Sequence, residues 1–307
     1  MSAPSTSPTA PDLAEVLDAV EGLWPLRLQE SWDASGLVTG RPDQPVRRIL
    51  FAVDPTAEVV AEAVASGTDL LITHHPLLLR GVTSVAADRF KGAVVHELIE
   101  HRCALLACHT NADSAPDGVS DAVARAAGLT ATTPLAPHPA DPAVGIGRVG
   151  DLSEPTTLRE LARRLADAVP ATAHGVRVAG DPGAAVRRVA VCGGAGDSLF
   201  DEVRAAGADV YVTADLRHHP ASEAREAATG PGAAGTPYLV DLSHFASEWL
   251  WLPVGAAALR DALAARGHAV EVAVSTRRTD PWDFRVDHPA HDPEHDLDRP
   301  RTAGGTA

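Results

Sequence analysis

An α/β fold made of two related halves with mainly parallel sheets is predicted from two features of the sequence. Short apolar runs alternate with segments of helical periodicity, and the order of elements in the first half recurs in the second. Apolar runs bounded by turn signals read as buried strands, and strands that alternate with helices are wired as βαβ units, which sets neighbouring strands parallel. With 307 residues, 45% of them hydrophobic, the chain can bury a sizeable core in one large domain or two.

In chain order, the Ser/Pro/Thr-rich stretch 1–10 is predicted to be flexible. In the first half, 11–133, RRILFAVD reads as a strand, Thr56 to Ser66 as a helix, DLLITHH as a strand, Arg89 to His101 as a helix, CALLACHT as a strand and Gly118 to Ala127 as a helix. A Pro-rich link, 134–143, leads to the second half, 144–281. That half opens on a strand through GRVGDL and a helix that Glu154-Pro155 begins and LRELARRLADA continues. The segment RRILFAVDPTAEVVAEAVASGTDLLITHH aligns without a gap on RRVAVCGGAGDSLFDEVRAAGADVYVTAD. Arg48 matches Arg188, Gly67 matches Gly207, Asp69 matches Asp209 and Thr73 matches Thr213, each pair 140 positions apart. Shared Gly, Asp and Thr between the apolar positions favour duplication over a chance likeness of apolar patterns. The tail, 282–307, is polar and Pro-punctuated, with His288, His291 and His295 among acids, and is expected to be disordered.

Composition narrows the function classes. A formal charge of -15 with Lys91 as the only lysine argues against nonspecific nucleic-acid binding, which needs clustered cations. Cys103, Cys108 and Cys192 sit in apolar stretches without zinc-ribbon spacing, as reduced core thiols of a cytoplasmic protein do. No run approaches the roughly 20 apolar residues that span a bilayer, and the N-terminus lacks an export pattern, so no membrane partner is expected.

The chemistry gathers where three apolar runs end. LLITHHP carries His74 and His75, ALLACHTNAD carries His109 and Asp113, and YLVDLSHFASE carries His244 and Glu248. Strand exits deliver side chains to the sheet edge where open α/β folds bind ligands. Neutral imidazoles and carboxylates suit divalent transition ions, and His-x-x-x-Asp/Glu puts both groups on one side of a turn. Fourteen histidines would cluster somewhere by chance, yet three such exits are harder to dismiss than one. The reading is a metal centre at the strand ends between the two halves. Other groups read as structural: CGGAGDS as a tight turn, since it lacks the Gly-Lys-Ser/Thr ending of a phosphate loop; His218 and His219 as a surface helix start; Trp32 and Asp33 as an anchored turn; Cys108 as a core side chain. Asp215, which aligns with His75, either faces the site or hydrogen-bonds at its strand end.

From about Leu13 to Pro281 the chain resembles the YbgI/Nif-three-like dinuclear metal-centre family, whose bacterial members are often labelled GTP cyclohydrolase 1 type 2 homologues. The resemblance rests on ESWDASGLVTG, THHPLLLRG, HTNADSAPDGVSDAVA, GIGRVGDL, VAVCGGAG and DLSHFASE in that order. It implies two adjacent divalent metal ions per chain held by His74, His75, Asp113, His244 and Glu248, with His109 lining the site as the catalytic candidate. A ligand set without thiolate fits zinc, iron, manganese, cobalt or nickel. It also implies a ring-shaped homohexamer and a hydrolase that opens the ring of GTP, or of a related small-molecule nucleotide, with metal-activated water. A noncatalytic metal-binding or assembly protein of the same fold is the alternative. Asp113 is expected to bridge the ions. Where relatives have Asn, Gly and Gly, this chain has Ala34, Ala214 and Ser243. None of these removes a ligand, though Ser243 is expected to restrict backbone approach beside the site.

Overall fold

The computed structural model describes residues 10–286, so the expectations for residues 1–9 and for the tail from residue 287 onward lie outside the described residues. The fold is α/β, with two sheets. In the first, β2 (Arg48–Ala52), β3 (Leu70–Thr73) and β4 (Ala104–Ala107) lie side by side and parallel, with β1 (Gly36–Thr39) antiparallel against β4. In the second, β8 (Ala185–Ala195), β9 (Val210–Ala214) and β10 (Tyr238–Leu242) are parallel, with β7 (Arg177–Ala179) antiparallel against β10. The orders β1-β4-β3-β2 and β7-β10-β9-β8 are therefore the same arrangement twice.

Period-two alternation explains how each sheet is covered on both faces. Leu50, Leu71 and Leu105 point to α2 (Ala57–Ala65) and α3 (Phe90–Glu100), the two crossover helices. Their neighbours Ile49, Phe51, Ile72 and Leu106 point instead to α1 (Leu13–Leu23) and α10 (Trp251–Ala265). In the second sheet Val189, Val191, Val210 and Val212 meet α5 (Val119–Ala127) and α6 (Leu158–Ala168). Ala190, Cys192 and Tyr211 meet α7 (Phe200–Ala205) and α8 (His218–Thr229).

Two features differ from the sequence reading. The stretch read as a Pro-rich link, 134–143, belongs to a hairpin of β5 (Thr132–His138) and β6 (Asp141–Thr157), which extends the second sheet beside β8. Pro134 and Pro137 are tolerated because β5 is an edge strand, where a missing N–H leaves no ladder bond unmade on the open side, and Pro139 lies in the turn. The last strand, β11 (Glu271–Val274), returns from α10 to pair parallel with β2, so residues late in the chain complete the first sheet. The two halves are thus interleaved. No helix among the described residues is long and apolar enough to cross a membrane.

The repeat is physical as well as topological. Asp69 Oδ2 accepts hydrogen bonds from the backbone N–H groups of Arg47 and Arg48 at 2.7 and 2.9 Å, and Asp209 Oδ2 accepts from those of Arg187 and Arg188 at 2.8 Å each. In both halves a guanidinium, Arg48 or Arg188, donates back to the carbonyl at the end of the crossover helix, Ser66 or Ala206. Gly67 and Gly207 follow at φ +65° and +63°, a left-handed conformation that glycine adopts without Cβ strain. This bracket fixes each strand against its partner on the side away from the site. Charge-assisted bonds of this kind are worth about 1–3 kcal/mol. Asp69→Ala and Asp209→Ala are therefore expected to destabilise the chain by about that much each in denaturant unfolding. A neutral result for one and a large loss for the other would show that the two brackets are not equivalent.

Candidate metal centre

The candidate ligands of the site come from the C-terminal ends of parallel strands. Asp54 follows β2, His74 and His75 follow β3, and His109 follows β4 and opens the short helix α4 (Thr110–Ser114) that carries Asp113. From the second sheet, Gly194 ends β8, Asp215 follows β9, and His244 opens α9 (His244–Trp249), which carries Glu248 one turn on. The two sets of strand ends face each other, and the His and carboxylate groups meet between them.

Glu248 is the centre of this cluster. One of its oxygens lies 2.9 Å from His244 Nε2 and 3.4 Å from His74 Nε2, and the other lies 3.1 Å from His75 Nε2. Asp113 is 3.7 Å from His74 Nε2. Glu248 thus stands between the imidazoles, with Asp113 beside His74. His74 is fully buried and Glu248 only 3% exposed. His109 joins His74 and His75 in one group of potential ligand atoms, and His75, His244 and Glu248 form another, each within 4.8 Å.

The protonation pattern determines what this cluster wants. His74 donates Nδ1–H to the Cys108 carbonyl at 2.9 Å, His75 to Asp54 at 2.7 Å, His244 to Asp215 at 2.8 Å and His109 to Asp33 at 2.7 Å. With the proton on Nδ1, each Nε2 presents a lone pair inward. The Nε2 atoms of His75 and His244 are 3.2 Å apart, a contact between two acceptors that is repulsive unless a proton or a metal cation lies between them. His74 Nε2, Asp113 Oδ1 and Glu248 Oε2 are buried without a hydrogen-bond partner. Buried orphans are costly in an apolar setting, and a divalent ion would satisfy all of them at once. Nδ1 atoms held by carboxylates or a carbonyl are the usual support of histidine ligands, because they fix the tautomer and orient the ring. The donor set fits a metal ion.

The electrostatics agree. Burial opposes charging His75, but the Glu248 carboxylate and the Asp54 hydrogen bond outweigh it and bring its pKa to about 10. Glu248 and Asp215 similarly raise His244 to about 11 against its burial. Burial pushes Asp113 up, while the facing imidazoles override burial and hold Glu248 well below the usual carboxylate range. Without a cation, protons supply the positive charge this cage needs.

Several supporting residues escaped the sequence reading. Asp33, assigned to an anchored turn, has a fully buried carboxylate that holds His109 and accepts from Thr110 and Ser35. Trp32, expected to anchor that turn, is 58% exposed, with its ring edge-on to His109 at 5.7 Å. Asp54 was visible only as the acid ending RRILFAVD, the fourth strand exit. Gly194 lies at φ +65°, where a Cβ would sit 2.6 Å from Glu248 Oε1, so this glycine of CGGAG makes room for the carboxylate. Asp215 satisfies both readings at once: at its strand end it faces the site and accepts a hydrogen bond from His244 Nδ1 at 2.8 Å, which makes it a support of the cage. His218 and His219 are exposed on α8, as a surface helix start should be. Ser243 caps α9 in ordinary extended backbone and donates to Asp280, so it strains nothing. Cys103, Cys108 and Cys192 are free and buried, and burial lifts the thiols of Cys103 and Cys192 to about 12.

Comparison with known proteins adds an independent line. The family described as Duf34/NIF3 (NGG1p interacting factor 3) matches residues 11–281. A Streptomyces coelicolor protein named GTP cyclohydrolase 1 type 2 homolog is 56% identical over 278 residues, covering 90% of this chain and 95% of that one. A Mycobacterium bovis protein of the same name is 36% identical, covering 90% of this chain and 97% of its own. The crystal structure of a Bacillus cereus protein related to NIF3 superposes with a TM-score of 0.80 at 25% identity, covering 90% of this chain and all of that one.

Protein stripped of metal is expected to take up divalent ions at this cage. His75→Ala and Glu248→Gln should reduce uptake by at least about 100-fold, and Asp54→Ala by about 10- to 100-fold, as loss of an outer hydrogen-bond partner does. Because His75 and His244 hold protons up to about 10 and 11, uptake at neutral pH must release protons, and affinity should rise with pH. Calorimetry in buffers of different ionisation enthalpy reads that release directly. Uptake unchanged in both ligand variants would show that the ions bind elsewhere.

Proposed function

The chain belongs to the Duf34/NIF3 family, and from that premise we propose that it is a metal-dependent hydrolase working at two divalent ions held by His74, His75, Asp113, His244 and Glu248. The observation that carries this reading is the crowding of His75 and His244 Nε2 at 3.2 Å beside Glu248, with His74 Nε2, Asp113 Oδ1 and Glu248 Oε2 buried without a hydrogen-bond partner. Two ions rather than one fit the shape of the set. Glu248 Oε1 lies by His244 and His74, Glu248 Oε2 by His75, and Asp113 beside His74, so Glu248 is the carboxylate that would hold both ions. Five protein ligands do not saturate two ions, and open positions distinguish catalytic from structural sites.

When bound, such ions lower the pKa of water towards neutrality and polarise an electrophilic carbon. The chain's own groups supply the rest. His109 keeps its Nδ1–H on Asp33, which leaves Nε2 as the atom able to take a proton from attacking water and return it to a leaving nitrogen. Asp33 carries its charge where an imidazolium would form, and the His109 and Thr110 hydrogen bonds overcome its burial and hold its carboxyl well below the usual range. Ring-opening hydrolysis of GTP or a related nucleotide is the reaction that the relatives' names carry, and it needs this combination of activated water and proton shuttle. The family resemblance also supports a cytoplasmic homohexamer. Exposed apolar side chains at and near the open edge of the first sheet, Leu37, Val85, Phe90 and Ile99, are the kind of surface an assembly covers.

Metal analysis is expected to give two ions per chain. Asp113→Asn should lose metal and activity together. His109→Ala should keep its metal and lose about 10²- to 10⁴-fold in turnover, the range of a positioned acid–base group. A wild type that holds both ions yet turns over nothing in a screen of nucleosides, nucleotides, phosphodiesters and peptides would make the noncatalytic reading the better one. Light scattering after size exclusion should give the mass of a hexamer, and a monomer at micromolar concentration would contradict it.

A further inference from the structure

Two cavities reach the cage, one of them about 480 Å³ on the side of His75, His244 and Trp282. The other, of about 380 Å³ on the side of His109, is at the small end of the roughly 300–1,000 Å³ typical of small-molecule sites. Its floor is His109, Asp113 and Glu248. One wall is the tip of the β5–β6 hairpin around Pro137, His138 and Pro139, and Trp32 lines it with its indole largely open to solvent. Trp251, packed near His74, and Trp24 are buried in the core at 0% and 2% exposure, and the exposed Trp282 lines the other cavity. An exposed indole beside a proton-shuttling imidazole has the form of a platform for a flat ring, since aromatic faces stack on heterocycles.

The charge of the cavity sets what that ring can carry. Among the described residues, no lysine or arginine lines it. Arg148 is buried against Asp121 and the carbonyls of Ala115, Gly145 and Gly147, and Arg217 pairs with Asp197. Glu30 joins Asp113 and Glu248 on the lining, and Asp33, Asp54 and Asp215 stand behind the imidazoles. Six carboxylates thus oppose the four positive charges of two divalent ions. Polyphosphate recognition relies on arginine, lysine or helix N-termini, and a field of this sign does not favour a tetra-anion.

We propose that the cavity binds a planar heterocyclic amide of at most one negative charge, such as a nucleobase or nucleoside, stacked on Trp32, and that it disfavours nucleoside triphosphates. The inference rests on the metal-dependent reading above and narrows its substrate class to the uncharged end of a nucleotide. Trp32 is then a ligand-contacting residue, and the β5–β6 hairpin sets the width of the slot.

The test is isothermal titration of full-length, zinc-loaded protein with guanosine, guanosine monophosphate and GTP, with zinc content measured before and after. Guanosine should bind, and GTP should bind at least tenfold more weakly at low salt. Trp32→Ala should weaken guanosine about 5- to 150-fold, the range of base–aromatic stacking, with zinc content unchanged. Trp32→Phe should recover most of the affinity. GTP binding as tight as guanosine, no guanosine binding by zinc-loaded protein, or an unaffected Trp32→Ala variant would each overturn the proposal while leaving the metal reading intact. Protein that retains no zinc would overturn the metal reading itself, and the proposal with it.

Discussion

The structure turns on one electrostatic constraint, the meeting of three imidazole lone pairs and two carboxylates in a space that excludes most solvent. Glu248 lies within 3.4 Å of three Nε2 atoms, and each of those rings is held on its far side by an acceptor that fixes the tautomer. Unlike a buried ion pair, this arrangement has no internal balance. It needs positive charge from outside, and protons or metal ions are the two ways to supply it. The raised histidine pKa values and the depressed Glu248 express the same demand from the side of the protons.

Duplication explains how a chain brings so many like groups together. Each half presents the same three parallel strands with an antiparallel edge strand, and the ends of each strand set carry the ligands that the other set lacks. The Asp69 and Asp209 brackets hold the opposite ends of the strands, away from the site, so the exits are positioned by a rigid sheet and not by loops. Interleaving strengthens this. β11 closes the first sheet from the far end of the chain, and the segment after it reaches both ligand supports. Thr279 donates to Asp54, behind His75, and Asp280 accepts from Ser243, the cap of the helix bearing His244 and Glu248.

Much of this was legible in the sequence. The apolar runs before His74, His109 and His244 announce strands, and their spacing against the internal repeat announces that the three exits converge. What escaped depends on long-range geometry. Asp33 and His109 are 76 positions apart, and nothing local distinguishes a turn aspartate from one that orients a histidine. The central position of Glu248 among the imidazoles is likewise a property of the folded pair of sheets. The hairpin at 132–157 was hidden by its prolines, which are poor strand formers in a central position and acceptable at an edge. Trp32 misled for the opposite reason, since tryptophan is buried far more often than it is displayed.

Anomalous diffraction from crystals of the metal-loaded protein tests the central claim most directly. Two peaks beside the Glu248 carboxylate are expected, about 3.5–4 Å apart as in other two-ion centres, with only nitrogen and oxygen ligands from His74, His75, Asp113, His244 and Glu248. A single ion away from Glu248, or a site built on a cysteine, would contradict that claim.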